Sequence, residues 1–359
     1  MSVFSESYAQ ARARFTAALA AAGGRLLASY QNPAAGPAGE TLTTDVGRIG
    51  PGDARRVLLL NAGTHGIEGY SGSACFTGWL EGGHARALPP DTAVVFVHAI
   101  NPHGFAWGRR VNEDNVDLNR NFVDHSRPYP ENPDYAALRD AVNPREWTPE
   151  VVARADAAIA AYYGNPNEDF LPKAVHGGQY INAQGTFFGG AAPTWSNRTF
   201  RAILATWLKS AEAICFIDYH SGNGVFGFLD LFVDDARAGT RARDWFAHCT
   251  PIEAVEVKHG HAQNAVPGLL MDTIGATFPD KKVTSCLVEL RTRSARAMLG
   301  ITRAENWIFQ HGNPDSPEGL KIRAEFREIF YPVDPIWRAM SLRQSNAMIA
   351  EALVGLAGA

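Results

Sequence analysis

The apolar positions of this chain gather into short uninterrupted runs. Val57 to Leu60 and Ala93 to Val97 are two of them, and the stretch between, from about Ser71 to Leu80, reads as a helix, which predicts strand, helix, strand. Upstream, the alanine-rich segment Glu6 to Ala22 predicts a helix ended by Gly23-Gly24, and the polar, β-branched segment Thr41 to Gly47 predicts an edge strand. The pattern resumes with a helix near Phe200 to Lys209 and strands over Ala213 to Tyr219, Leu229 to Val233 and Val283 to Leu290. Helices are expected through most of the chain after Ala295, where Trp307, Phe326, Phe330 and Ile336 offer anchors for packing. Strands alternating with helices predict an α/β protein, a three-layer α/β/α sandwich around a central mixed, mostly parallel, twisted sheet.

Between about residues 123 and 199 the chain turns polar and rich in Pro, Gly and Asn, broken by an alanine-rich helical stretch near Pro149 to Tyr162. It has no run of strands of its own, so it reads as an excursion from one domain spanning residues 1–359, with a helical part at about 295–359. No internal repeat or low-complexity tract appears.

Composition narrows the choice of partner. At 46% hydrophobic, the 359 residues can build a large core, and a net charge of −4 without a block of Lys and Arg argues against a nucleic-acid or anionic-membrane surface. The expected partner is a small molecule or short peptide, with a homo-oligomer left open. Cys75, Cys215, Cys249 and Cys286 form no CxxC pair and read as reduced thiols. Arg12 and Arg14 interrupt the run a signal peptide would need, so the expected location is cytoplasmic.

Ligands of open α/β sheets collect beyond the carboxyl ends of the strands. The turn Thr64-His65-Gly66-Ile67-Glu68-Gly69 follows one predicted strand, His220-Ser221-Gly222 ends another, and Glu289 lies near the end of a third. Two His and one Glu form a known catalytic zinc set with the fourth position left to water, so His65, Glu68 and His220 are the candidate ligands of one Zn2+ per chain. Alone, an HxxE or a strand-end His is a weak signal; two glycine-flanked candidates at strand ends strengthen each other. Glu289, inside the apolar run Cys286 to Leu290, is the candidate general base. The competing explanation for it is an ion pair with Arg291 or Arg293. A second cluster runs from Asn101-Pro102-His103-Gly104 through Arg109-Arg110 to Asp117-Leu118-Asn119-Arg120-Asn121-Phe122, and its arginines suit a carboxylate.

The order HxxE, NPxG, Arg, VDLNRNF, YHSG and a strand-borne Glu resembles the zinc carboxypeptidase family, the M14 metallopeptidases, with their succinylglutamate desuccinylase and aspartoacylase relatives. Gly178-Gln179-Tyr180, Phe188-Gly189-Gly190, Trp195-Ser196-Asn197 and Phe330-Tyr331-Pro332 are similar to the branch of that superfamily known as DUF2817. The resemblance implies zinc on His65, Glu68 and His220, with Glu289 as general base. It implies Asn119 and Arg120 on the substrate carboxylate, Arg110 on the scissile carbonyl, and Asp117 as the partner orienting His65. Arg109 is grouped with the substrate-binding residues as the neighbour most easily confused with Arg110. The implied activity is hydrolysis of an amide bond next to a free carboxylate, as carboxypeptidase or N-acyl amino acid deacylase. The alternative is a catalytically inactive zinc-binding or ligand-binding protein of the same fold.

Two departures bear on substrate. Peptide-cleaving members carry a mobile tyrosine between the last His ligand and the Glu, yet no Tyr occurs from Ser221 to Val288. His259-Gly260-His261-Ala262-Gln263-Asn264 lies in that interval and is as readily a solvent loop as a set of substrate contacts. The excursion is the other departure: Gln179, Tyr180 and Phe187 could wall a pocket, whereas Phe188 and Trp195 are expected to pack it down.

Overall fold

A computed structural model describes residues 3–163, 173–233, 241–246, 249–251 and 266–359. The first helix, α1 (Tyr8–Ala21), begins where the Ser7 side chain accepts the Gln10 N–H. Strands β1 (Arg25–Ala35), β2 (Thr41–Ile49) and β3 (Arg56–Ala62) follow, then α2 (Gly69–Glu81), β4 (Thr92–His98) and α3 (Pro102–Trp107). The excursion holds α4 (Pro133–Val142), α5 (Pro149–Tyr163) and α6 (Lys173–His176), and α7 (Trp195–Trp207) leads back to β5 (Ala213–Asn223) and β6 (Leu229–Val233). The rest comprises α8 (Arg241–Trp245), β7 (Cys249–Pro251), α9 (Asp272–Thr277), β8 (Lys282–Arg293), α10 (Ala295–Gln310), α11 (Pro317–Phe330) and α12 (Pro335–Ala357).

The described strands form one sheet in the order β1-β2-β4-β3-β5-β8-β6-β7. Its centre, β4-β3-β5-β8, is parallel, while β1 on β2, β2 on β4 and β6 on β8 run antiparallel. The sheet is thus mixed, with parallel pairing concentrated at its middle. The edge strand expected at Thr41 to Gly47 is not at the edge, because β1 pairs outside it.

The middle strands read as unbroken apolar runs because both of their faces are covered. Leu58, Leu60, Phe96, Cys215 and Ile217 face α1, α2 and the C-terminal helices, where Phe15, Phe76, Phe326 and Trp337 meet them. Val57, Leu59, Val95, Ile214 and Phe216 face the other layer, where Phe200, Ile203 and Leu204 of α7 lie with Ile274 of α9. The excursion has a small core of its own, built from Tyr135, Leu138, Val142, Ile159, Val175 and Phe187 against Leu299 of α10. Among the described residues, no helix is long and apolar enough to cross a membrane.

Candidate metal centre

The turn after β3 depends on a close approach of its backbone to α3. A Cβ built on Gly66 would lie 2.0 Å from the Gly104 carbonyl carbon in α3, so only glycine lets the two backbones touch. The chain then makes a 3-10 turn over Gly66–Glu68 with His65 at its N-cap. Residues three apart eclipse on such a turn, which aims His65 and Glu68 in one direction. His220 arrives from β5, its strand extending to Asn223.

The three side chains meet. His65 Nδ1 lies 3.0 Å from Glu68 Oε1, His220 Nδ1 2.8 Å from Glu68 Oε2, and the two Nδ1 atoms are 3.1 Å apart. All three residues are buried. The far nitrogen of each ring faces a carboxylate, His65 Nε2 at 3.1 Å from Asp117 Oδ1 and His220 Nε2 at 2.9 Å from Asp218 Oδ2. Carboxylates on the Nε2 side hold the proton there and leave each Nδ1 lone pair aimed at the shared point, as ligating histidines require. His65 Nε2 has a second neighbour, Arg110 Nη2 at 2.8 Å, which favours the opposite tautomer. His220 Nε2 faces Asp218 with no arginine beside it among the described residues.

The charged groups of the cluster shift one another strongly. Burial raises the Glu68 carboxyl, but His65 and His220 outweigh it and bring the group to about 2. For His220, burial disfavours the charged ring, yet Asp218 and then Glu68 draw its pKa well up. Asp117 shows the same contest, burial against the charges of Arg110, His65 and Arg120, and ends well below the usual carboxylate range. Three buried carboxylates, Glu68, Asp117 and Asp218, thus surround the two histidine rings. Two imidazole nitrogens and a carboxylate oxygen converging among such charges fit a zinc ion.

Glu289 of β8 is the register partner of His220 on β5. Burial, followed by the charge of Glu68, pushes its carboxyl up to about 8. The competing ion pair is not formed: Arg291 pairs with Asp230 of β6, and Arg293 reaches the Thr292 carbonyl. Gly222 gives Glu289 room, since a Cβ there would sit 3.1 Å from Glu289 Oε1.

The arginine cluster divides. Arg110 approaches Asp117 Oδ2 at 3.1 Å and Glu68 Oε1 at 3.5 Å, with its guanidinium 5.1 Å from the Phe187 ring centre. Arg109 turns away, its Nε on Glu305 at 2.7 Å and its guanidinium over Phe309, so the structure does not bring it to the cluster. Arg120 is buried beside Asp117 and donates to the Asn119 and His176 carbonyls at 2.7 and 2.6 Å, while its Nε has no partner among the described residues. The Asn119 amide oxygen accepts the Leu270 N–H at 2.8 Å.

The excursion backs this segment. Phe188 carbonyl accepts the Asp117 N–H at 2.8 Å, and Tyr180 donates its hydroxyl to the Arg120 carbonyl at 2.6 Å. Phe188 is buried, and Gln179 is held by the backbone of Asn182 and Thr186. Residues 259–264 lie outside the described residues. Sequence reasoning missed Asp218, Thr64 and Asn61. The available signal was spacing: Asp218 and His220 are two apart on a strand and share a face.

An α/β sandwich with a two-histidine, one-glutamate cluster beyond its central parallel strands defines the class. The chain belongs to the family described as Protein of unknown function (DUF2817), which matches residues 4–344. Among solved structures it is similar to bovine thrombin-activatable fibrinolysis inhibitor (12% identity, TM-score 0.46, 96% of this chain and 97% of that one). It is also similar to carboxypeptidase A from Helicoverpa armigera (12%, 0.45, 90% and 73%). A third likeness is to succinylglutamate desuccinylase from Chromobacterium violaceum (14%, 0.38, 89% and 74%). No curated protein matches the chain.

Proposed function

We propose that the protein is a zinc-dependent hydrolase that cleaves an amide bond adjacent to a free carboxylate, as a carboxypeptidase or an N-acyl amino acid deacylase. The observation that carries this reading is the convergence of His65 Nδ1, His220 Nδ1 and the Glu68 carboxylate within about hydrogen-bonding distance of one another, beside Glu289. Zinc held there supplies Lewis acidity for a carbonyl and an activated water at neutral pH.

The chain's own groups supply the rest. Glu289, with its pKa brought up to about 8, is suited to take a proton from the attacking water and return it to the leaving nitrogen. Arg110 carries a fixed positive charge at the edge of the cluster, where it can stabilise oxygen charge that develops on the scissile carbonyl. Asn119 and Arg120 follow Asp117 in one short turn, and their N–H groups are of the kind that binds a carboxylate, Arg120 doing so in exchange for its bonds to the Asn119 and His176 carbonyls.

The test has two parts. Metal analysis of the purified protein should find one zinc per chain, and a panel of C-terminal peptides and N-acyl amino acids should include a substrate. Glu289→Gln should then keep the metal and lose about 10²–10⁴-fold in kcat. Near-normal turnover by this variant would remove Glu289 from the mechanism, and a zinc-loaded protein inert across the panel would favour a binding role.

A further inference from the structure

The Asp218 carboxylate is buried and, besides facing His220, meets groups of β3 and of the turn after it. Its Oδ1 accepts from Asn61 Nδ2 at 2.7 Å and lies 2.8 Å from Thr64 Oγ1, while its Oδ2 faces His220 Nε2 at 2.9 Å. Asn61 also donates to Thr64 Oγ1 at 2.9 Å. Asn61 ends toward the cluster from β3, Thr64 immediately precedes His65, and Asp218 stands two residues before His220 on β5. One carboxylate therefore ties the strand that delivers His220 to the turn that delivers His65 and Glu68.

We propose that Asp218, held in place by Asn61 and Thr64, is the positioning residue that presets His220 and the His65 turn for the metal. This rests on the zinc reading above. The two histidines differ in a way that assigns the task to Asp218. Asp117, the partner of His65, is shared with Arg110, and Arg110 also contacts the same ring nitrogen. Among the described residues Asp218 is otherwise shared with a hydroxyl and a side-chain amide, with no arginine in contact. Its carboxylate faces Nε2 of His220 and so turns Nδ1 toward the shared point, with a geometry that Thr64 and Asn61 hold.

The chemistry also sets which substitutions are informative. Asp218→Asn keeps the shape but has a single acceptor oxygen, so it can no longer accept both from His220 and from the Asn61–Thr64 side. Thr64→Val removes the hydroxyl with little change in volume, and Thr64→Ser restores it.

The readout is zinc affinity, measured by competition with a chromogenic chelator on full-length protein, with the cobalt-substituted absorption spectrum as a report on ligand geometry. Asp218→Asn should weaken zinc binding by about 10–100-fold. Thr64→Val should weaken it by a smaller factor and alter the cobalt spectrum, and Thr64→Ser should return both toward wild type. A merely structural role would lower the melting temperature without moving the spectrum of the folded fraction. Wild-type affinity in a folded Asp218→Asn protein would overturn the inference while leaving the zinc reading intact. Should that variant not fold, equal affinities for Thr64→Val and Thr64→Ser would overturn it. A wild-type protein that binds no zinc would overturn the zinc reading, and this inference with it.

Discussion

Arg109 and Arg110 are neighbours in sequence, but their side chains enter different environments. The Arg109 guanidinium is enclosed between Glu305 and Phe309, and both members of its ion pair are buried. Arginine to alanine there strands the Glu305 carboxylate away from water, a change that costs about 3–5 kcal/mol when one partner of a buried pair is removed. Arg110 lies against Asp117, whose carboxylate also meets His65 and the Asn119 N–H, so its loss leaves partners behind. Arg109→Ala should therefore lower stability in denaturant unfolding by several kcal/mol. Arg110→Ala should cost less stability and, under the proposed function, about 10²–10³-fold in kcat. Reversed outcomes, a stable Arg109→Ala or a fully active Arg110→Ala, would exchange the roles assigned to the pair.

At the scale of elements, the turn after β3 depends on contact between backbones. A Cβ at Gly66 would fall 2.0 Å from the Gly104 carbonyl carbon and 2.3 Å from Phe105 N, and no rotamer change relieves a clash with main chain. Gly66→Ala should push the 3-10 turn off α3, with a loss of about 1–3 kcal/mol or more in unfolding experiments and a weakened affinity for zinc. A variant with unaltered zinc affinity would separate the turn from the centre. Elements with a strong apolar signal were legible in the sequence: β3, β4, β5 and β8 as buried runs, β6 at its observed bounds, and α2 between β3 and β4. Strand β1 was not, because most of its positions are partly or fully exposed and its identity comes from pairing with β2. β2 misled for a related reason. Its buried Thr43 and Asp45 look like surface polarity but are satisfied by the Tyr8 hydroxyl and Arg12 of α1, partners more than thirty residues distant in the chain. The candidate site divides similarly. His65, Glu68, His220, Glu289 and Asp117 could be read from motif and strand-end position, whereas the orientation of Arg109 depends on Glu305 of α10, which no local pattern reveals.

For the whole molecule, the cluster stands where neighbouring parallel strands of the central sheet meet. His65 and Glu68 follow β3, His220 is on β5 and Glu289 on β8, the middle of the sheet. This junction brings imidazole nitrogens and carboxylate oxygens together at about 3 Å. Unfolding hydrates those carboxylates and separates the ligands, so zinc should bind the native state far more tightly than the unfolded chain. Mass action then stabilises the fold by about 2.7 kcal/mol when free zinc is a hundredfold above Kd. For a chain of this size that is a rise of roughly several degrees in Tm, since each kcal/mol shifts large domains by only about 2–4 °C or less. Melting curves at increasing free zinc should climb in this way, and excess chelator should reverse the rise. His220→Ala removes a ligand and should abolish the zinc dependence, even if its own metal-free Tm is also lower. A wild-type curve indifferent to zinc, or one in which the His220 variant responds as fully as wild type, would show that the metal does not bind at the junction of β3, β5 and β8.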